Sequence, residues 1–273
     1  MVDRRVRDYY SAHVRQEWRR LVRDSYNHLE YLTSLYFLEK YFPVCGNVLD
    51  AGGGPGRYTV ALARRGYQMT LLDITPDNLA FARRQVRRAG LSAMVPDFIE
   101  GTISELDRFP DGTFDAVICL GGALSHILDA AERGQAIHEL VRVARPGAPV
   151  IVGVMSRLAL LALELDFQHE IGMPHFVMIR DTGDYDGSSG FTACHFFLPE
   201  ELRAAFEQEP VEVLELAGLE GLGANHYRAV NRLAKDSALW SIWMDTHFRT
   251  CTHPAVAGMS DHMLLVARKH LTA

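Results

Sequence analysis

The sequence predicts a doubly wound α/β fold around a mostly parallel, seven-stranded sheet, and three observations support this prediction. Short apolar runs alternate with longer stretches of helical periodicity over most of the chain. A glycine-rich turn directly follows the first of these runs, at the junction between a strand and a helix. A length of 273 residues suits one large α/β domain with insertions. Strand–helix alternation of this kind implies right-handed crossovers, with helices on both faces of the sheet.

The apolar runs are the candidate strands, and helical patterns fill the spaces between them. The strands are predicted at 47–51, 68–73, 95–100, 114–120, 149–155, 211–219 and 261–269. The helices between them are predicted at 56–66, 76–90, 130–145 and 198–209. The dipeptide Pro146-Gly147 stops the third of these helices, because proline cannot continue a helix and glycine favours its end.

Two kinds of segment lie outside this alternation. Residues 1–44 are predicted to form an N-terminal helical cap, with a leucine at every third position from Leu29 to Leu38. The core is then placed at 45–273, and the regular rhythm breaks at about 156–198 and again at about 220–258. We interpret these two stretches as inserted lid segments of the core.

Composition and charge narrow the classes of function. The chain is 48% hydrophobic and 23% charged, with a formal net charge of -6, which disfavours a surface for nucleic acids. The densest basic run, RRQVRR at 83–88, has a helical pattern and is interpreted as a solvated helix face. No secretory leader and no apolar run long enough to cross a membrane is evident, so a cytoplasmic protein is expected. The four cysteines are scattered and no histidine pair has ligand spacing, so we expect free thiols and no metal site.

The most informative stretch is VLDAGGGPGRY at 48–58, a strand end followed by a glycine-rich turn. Glycines let a backbone approach a ligand closely, and the next helix presents its N-terminal N–H groups to that ligand. A phosphate-binding loop of the GK[ST] type does not fit, because Arg57 and Tyr58 follow the last glycine. A dinucleotide GxGxxG fingerprint does not fit either, because the spacing here is GxGxG.

With this spacing, the region resembles the class I S-adenosylmethionine (SAM)-dependent methyltransferases, which have a Rossmann-like fold. In that family an acidic residue ends the first strand before GxGxG, a pattern that Asp50, Gly52, Gly54 and Gly56 match. The resemblance implies that these residues and Gly53 contact the cofactor SAM. It also implies that Asp73, at the end of the second strand, binds the ribose hydroxyls and that Ile74 packs on adenine.

The resemblance extends through FDAVICLGG and VRVARPGAPV, and it implies further contacts with SAM. Leu120 and Gly121 fall where family members line the sulfonium end of the cofactor. Thr102 stands where the family usually has an acidic residue that accepts from the adenine amino group; Thr102 and its neighbour Ile103 are assigned to the adenine side. Tyr26, like Tyr9, Tyr10 and His13, is assigned to an aromatic lid over the cofactor.

The segment after the fourth strand narrows the class of methyl acceptor. The sequence there is LGGALSH rather than [DN]PP[YFW], which disfavours amide and nucleobase amino groups. We therefore expect methyl transfer to an O, N or S atom of a small molecule or short peptide, without nucleic acid or membrane as a partner. His126 is the candidate general base or orienting residue, since histidine titrates near neutral pH. A SAM-binding sensor or partner subunit without catalysis and, less favoured, an NAD-dependent oxidoreductase are the alternatives, and a homodimer is left open.

Overall fold

A seven-stranded sheet forms the centre of the protein in the computed structural model, which describes residues 4–188 and 190–271. Its strand order is β3-β2-β1-β4-β5-β9-β8, and a separate two-stranded ribbon pairs β6 with β7. The strands are β1 Asn47–Ala51, β2 Gln68–Asp73, β3 Asp97–Glu100, β4 Ala116–Cys119, β5 Pro149–Met155, β6 Asp184–Tyr185, β7 Cys194–His195, β8 Val211–Gly218 and β9 His262–Lys269. Strands β1 to β5 run parallel, whereas β9 runs antiparallel to both β5 and β8. The predicted fold class is confirmed.

Helices cover both faces of this sheet and also form the segments outside it. They are α1 Arg4–Arg20, α2 Ser25–Tyr41, α3 Arg57–Arg64, α4 Pro76–Arg88, α5 Ala130–Val143, α6 Arg157–Leu163, α7 Pro174–Thr182, α8 Pro199–Glu207, α9 Tyr227–Leu233, α10 Ser237–Thr250 and α11 Pro254–Ala257. Two apolar clusters fill the layers, one containing residues of α5 and α8 and the other residues of α2 and α3. Every residue of β4 is buried, which explains why its sequence is a continuous apolar run rather than an alternating one.

Polar contacts hold the segments that interrupt the sheet pattern. In the first, both ring nitrogens of the buried His195 lie 2.6 Å from a carboxylate oxygen, one of Asp184 on β6 and one of Glu201 on α8. This clamp joins the β6–β7 ribbon to the core. In the second, Asp236 accepts from the backbone N–H groups of Ala238 and Leu239 and thereby starts α10. The second stretch, 220–258, contains α9, α10 and α11.

Candidate functional site

A cavity of about 520 Å³ lies at the carboxyl ends of the parallel strands, where α/β sheets usually bind ligands. We call the loops that follow β1, β2, β3 and β4 the floor of this cavity; their lining residues are Gly52–Pro55, Asp73–Thr75, Gly101–Ile103, and Leu120 with Gly121. We call α1 and the residue after it the roof; the lining residues there are Arg4, Val6, Tyr10, Glu17, Arg20 and Leu21. The turn that ends in His126 and the start of α5 close one side.

The first two glycines of the turn have no space for side chains. A Cβ on Gly52 would lie 2.4 Å from the Cβ of Ala123, and the φ of Gly52, +74°, is one that other residues rarely adopt. A Cβ on Gly53 would lie 2.4 Å from Leu71 and 2.5 Å from the carboxyl carbon of Asp50. The turn is thus a bare backbone surface packed between the sheet and the segment after β4.

Asp73 connects this turn to the next strand. Its carboxylate accepts from the backbone N–H of Gly54 at 2.8 Å, from the backbone N–H of Thr75 at 2.8 Å and from Asn78 at 3.2 Å. Burial raises the pKa of Asp73, and these hydrogen bonds oppose the rise. The side chain still lines the cavity, so a polar ligand there meets an oriented carboxylate.

Asp50 has a different position from the one that the sequence pattern indicated. It is fully buried below Gly53 and is absent from the cavity lining. One carboxyl oxygen accepts from the Thr59 hydroxyl at 2.5 Å, and the other has no hydrogen-bond partner among the described residues. Burial raises the pKa of Asp50 to about 7. Asp50 therefore supports the turn from beneath, because the turn itself lies between its carboxyl group and the cavity.

Three side chains with polar oxygens lie close together after β3, where this sequence lacks the acidic residue that is usual in the family. The hydroxyl groups of Thr102 and Ser104 lie 2.9 Å apart, and the Ser104 hydroxyl donates to Glu132 at 3.2 Å. Glu132, in the first turn of α5, lines the cavity together with Thr102. Sequence analysis missed Glu132, because it follows Thr102 by 30 residues and belongs to a different element.

His126 lines one side of the cavity and contacts the roof directly. Its Nδ1 lies 2.9 Å from the carbonyl oxygen of Ala193, which only accepts, so Nδ1 carries a proton. Its Nε2 lies 2.7 Å from the hydroxyl of Tyr10 and accepts from it. Burial lowers the pKa of His126 to about 4, and the bond to Ala193 opposes this shift only in part. The imidazole is therefore neutral at neutral pH, with its basic nitrogen directed at a hydroxyl group.

The roof is also held by a buried ion pair. Arg20 makes a two-pronged contact with Glu30 of α2, one prong at 3.0 Å, and it contacts Glu17 at 3.2 Å. Burial lowers the pKa of Arg20, but both carboxylates outweigh that effect and hold it above its usual range. Arg20 and Glu17 line the cavity, and sequence analysis had not singled out either.

The structure brings eleven of the predicted site residues to this cavity. They are Tyr10, Gly52, Gly53, Gly54, Asp73, Ile74, Thr102, Ile103, Leu120, Gly121 and His126. Gly56, with φ of +84°, instead precedes α3, where a Cβ would lie 2.9 Å from Ala82. Its role is close packing of α3 against α4.

Tyr26 also lies away from the cavity lining. Its hydroxyl donates to Asp261 and accepts from the backbone N–H of Asn225 at 3.0 Å. It belongs to α2, whereas the roof consists of α1 residues. The predicted aromatic lid is thus represented in the lining by Tyr10; Tyr9 stacks on His13, with ring centres 4.3 Å apart.

One group among the described residues has the donor atoms of a metal site, namely Glu30, Glu220 and His262. Glu30 is already paired with Arg20, and Nδ1 of His262 lies 2.9 Å from Glu220. Burial lowers the pKa of His262, but Glu30 and Glu220 outweigh this and raise it to about 9. A protonated imidazole and a guanidinium thus neutralise these carboxylates, and the group is a salt-bridge network.

Sequence similarity links the chain to known methyltransferases. A family model described as "Methyltransferase domain" matches residues 48–147, which include the glycine turn, Asp73 and the segment after β4. The ubiquinone biosynthesis O-methyltransferase of Pseudomonas aeruginosa is 29% identical over 188 residues, or 67% of this chain and 72% of the relative. The corresponding enzyme of Methylococcus capsulatus is 27% identical over 203 residues, or 74% of this chain and 77% of the relative.

Solved structures show the same fold. A SAM-dependent methyltransferase from Methanosarcina mazei superposes with a TM-score of 0.59 at 21% identity, covering 86% of this chain and 98% of that one. The [4+2]-cyclase SpnF superposes with a TM-score of 0.59 at 23% identity, covering 89% of this chain and 82% of that one.

Within residues 4–188 and 190–271, no helix has the length and apolar character needed to cross a membrane.

The cavity also fits the cofactor of such enzymes, because a glycine backbone, a fixed carboxylate and the polar oxygens of Thr102 and Glu132 face one space. Fold, motif and relatives agree: residues 48–147 match a methyltransferase domain, and together they support a class I SAM-dependent methyltransferase.

Proposed function

We propose that this protein transfers the methyl group of SAM to a hydroxyl oxygen of a small molecule, and that the acceptor is phenolic. The observation that carries this proposal is the hydrogen bond from the Tyr10 hydroxyl to Nε2 of His126 inside the cavity. A hydroxyl group already occupies the place where an acceptor hydroxyl would be held. The names of the relatives, which are O-methyltransferases, support oxygen as the acceptor atom.

SAM supplies an activated methyl group, and the residues of the floor are proposed to hold it. The backbone of Gly52–Gly54 approaches its amino-acid end, and Asp73 accepts from the ribose hydroxyls. Glu132, with Thr102, supplies the acceptor for the adenine amino group that family members have as an aspartate after β3. Asp50, Gly56 and Tyr26 are not part of this proposal, since they do not line the cavity.

His126 orients the acceptor and takes its proton. When the acceptor hydroxyl replaces that of Tyr10, it donates to Nε2, which is held in its unprotonated form by the bond between Nδ1 and Ala193. A nitrogen with a pKa of about 4 is a weak base. It can assist a phenol, with a pKa of about 10, far better than an aliphatic alcohol. The low basicity of Nε2 is the reason for expecting a phenolic acceptor, since a phenol loses its proton more readily than an alcohol.

The test uses SAM with a labelled methyl group and a panel of phenols, alcohols, amines and thiols. Replacing His126 by Ala is expected to lower kcat by roughly 10²-fold at pH 7 for the preferred acceptor. This loss should shrink as the pH approaches the pKa of the phenol, because the acceptor then ionises unaided. His138→Ala, at an exposed histidine paired with Glu209, is the matched control. An equal loss at every pH would show that His126 only positions other groups.

Cofactor binding is tested separately by titration calorimetry. Asp73→Ala should weaken SAM binding by about 1–3 kcal/mol, the scale of a hydrogen bond to a charged group. Glu132→Gln should weaken it less, by about 1 kcal/mol, since an amide oxygen still accepts. Unchanged affinity in both variants would contradict the roles proposed for Asp73 and Glu132 in binding SAM. Bound SAM without transfer to any acceptor would instead favour the sensor alternative.

A further inference from the structure

A second concave surface lies on the outer side of the roof. This groove, of about 520 Å³, runs between α1, the first residue of α3 and the second half of α4. Five arginines line it: Arg15, Arg19, Arg57, Arg84 and Arg88. Two of them come from the basic run RRQVRR, which the sequence alone indicated to be a solvated helix face.

The charge of this arginine groove is not neutralised within the described part of the chain. No carboxylate of residues 4–188 or 190–271 forms an ion pair with Arg15, Arg19, Arg84 or Arg88, whereas Arg7 and Arg65 pair with Glu100 and Glu39. Asp77 lines an adjoining depression with Arg15 and Arg84, but it is not within salt-bridge distance of either. Such a concentration of positive charge is unusual in a chain whose net charge is -6.

Arg57 fixes the inner end of the groove. Its guanidinium lies over the ring of Trp18, 3.9 Å from the ring centre, and donates to the Trp18 carbonyl. Its Nε is buried and has no hydrogen-bond partner among the described residues. A buried donor without a partner costs free energy, and an acceptor that reached this atom would recover that free energy. Phe81 also packs against Trp18, with ring centres 5.6 Å apart.

We propose that the arginine groove binds a ligand that carries two or more linked phosphate groups. Guanidinium groups match phosphate oxygens in paired hydrogen bonds, and several uncompensated ones in one depression suit an anion of more than one charge. The groove is within the size range of small-molecule sites. Because it is concave and both of its helices contribute arginines, it fits a compact polyphosphate better than an extended strand or a flat lipid surface.

The experiment is titration calorimetry of the full chain with pyrophosphate and with tripolyphosphate, at constant ionic strength and with sulfate as the comparison anion. The groove variant is Arg84→Gln/Arg88→Gln. The matched control is Arg83→Gln/Arg87→Gln, which removes the same charge from exposed positions of the same helix outside the groove. We expect both phosphates to bind the wild type and the control, and to bind the groove variant at least about tenfold more weakly.

In the calorimetry, each of three results would overturn the proposal: no binding of either phosphate by the wild type, equal weakening in both double variants, or sulfate binding as tight as tripolyphosphate. Vesicles with phosphatidylglycerol and a single-stranded oligonucleotide are tested in parallel arms to distinguish the source of the phosphate. Tighter binding of either than of tripolyphosphate would also contradict the proposal. Arg15→Gln/Arg19→Gln is a second groove variant, and loss of binding there, with an unchanged melting temperature, would support it.

Discussion

The floor and the roof of the cavity are held in place by different kinds of contact. In the floor, backbone N–H groups join neighbouring loops, as when the N–H of Gly54 donates to the carboxylate of Asp73, 19 residues away. In the roof, single side chains make the contacts, as when Tyr10 reaches His126, 116 residues away. A single substitution in such a floor should therefore destabilise the protein strongly. In a roof held by separate side-chain pairs, a substitution should remove only the contribution of one pair. Four predictions test this difference, in order of decreasing effect.

The largest effect is expected at Asp50, below the floor, and it depends on pH. Because its pKa is raised from an ordinary 3.8 to about 7, the folded state binds a proton that the unfolded state releases between those values. Its contribution is therefore greatest below about pH 4 and is lost as the pH rises to 7, by up to about 4 kcal/mol. Urea unfolding measures the unfolding free energy of the wild type and of Asp50→Asn across pH 4–8. This free energy should fall with rising pH in the wild type, and the fall should be absent from the variant. The same pH dependence in both proteins would show that the carboxyl group is solvated.

Gly52→Ala should destabilise the floor by about 3 kcal/mol. The new Cβ lies 2.4 Å from that of Ala123, and the positive φ adds strain. Gly134→Ala is the control, because Gly134 lies within α5 and a Cβ added there would meet no atom within 4 Å. That change should stabilise the protein by about 0.5–1 kcal/mol. Similar unfolding free energies for both variants would contradict the close packing of the turn.

In the roof, Glu30→Gln should lower the unfolding free energy by about 2 kcal/mol, because Arg20 then retains only Glu17 as an ionic partner. Glu39→Gln, which removes an exposed partner of Arg65, should cost less than about 0.5 kcal/mol. Equal losses in urea unfolding would show that burial does not strengthen the roof contact. A larger loss than that of Gly52→Ala would reverse the order of floor and roof.

The smallest effect is expected for Tyr10→Phe, about 1 kcal/mol in the unfolding free energy, because one hydrogen bond is lost and the ring is kept. If the acceptor hydroxyl competes with that of Tyr10 for His126, this variant should also lower KM for the acceptor. Steady-state kinetics with labelled SAM would check this. A raised KM would mean that Tyr10 binds the acceptor rather than occupying its place.

The same difference explains what could be predicted from the sequence. The strands, the glycine turn and Asp73 follow from local periodicity and short spacing, and the structure places them as expected in the fold. Asp50 and Gly56 match the motif, but a motif does not tell which residues face a ligand and which support the turn. Arg20 and Glu132 reach the cavity through tertiary packing, and Tyr26 is directed away by its bond to Asp261. Periodicity contains no information on such contacts.

Arg57 lines both the main cavity and the arginine groove. The two spaces therefore share Arg57 as part of their walls. Helix α1 also contributes residues to each of them. Thermodynamic linkage then imposes reciprocity: any factor by which a ligand in the groove changes the affinity of the cavity must apply equally in the other direction. A ligand bound in one space would then change the dissociation constant of the ligand in the other. Titrating each ligand in the absence and presence of the other would measure this effect as a single coupling free energy.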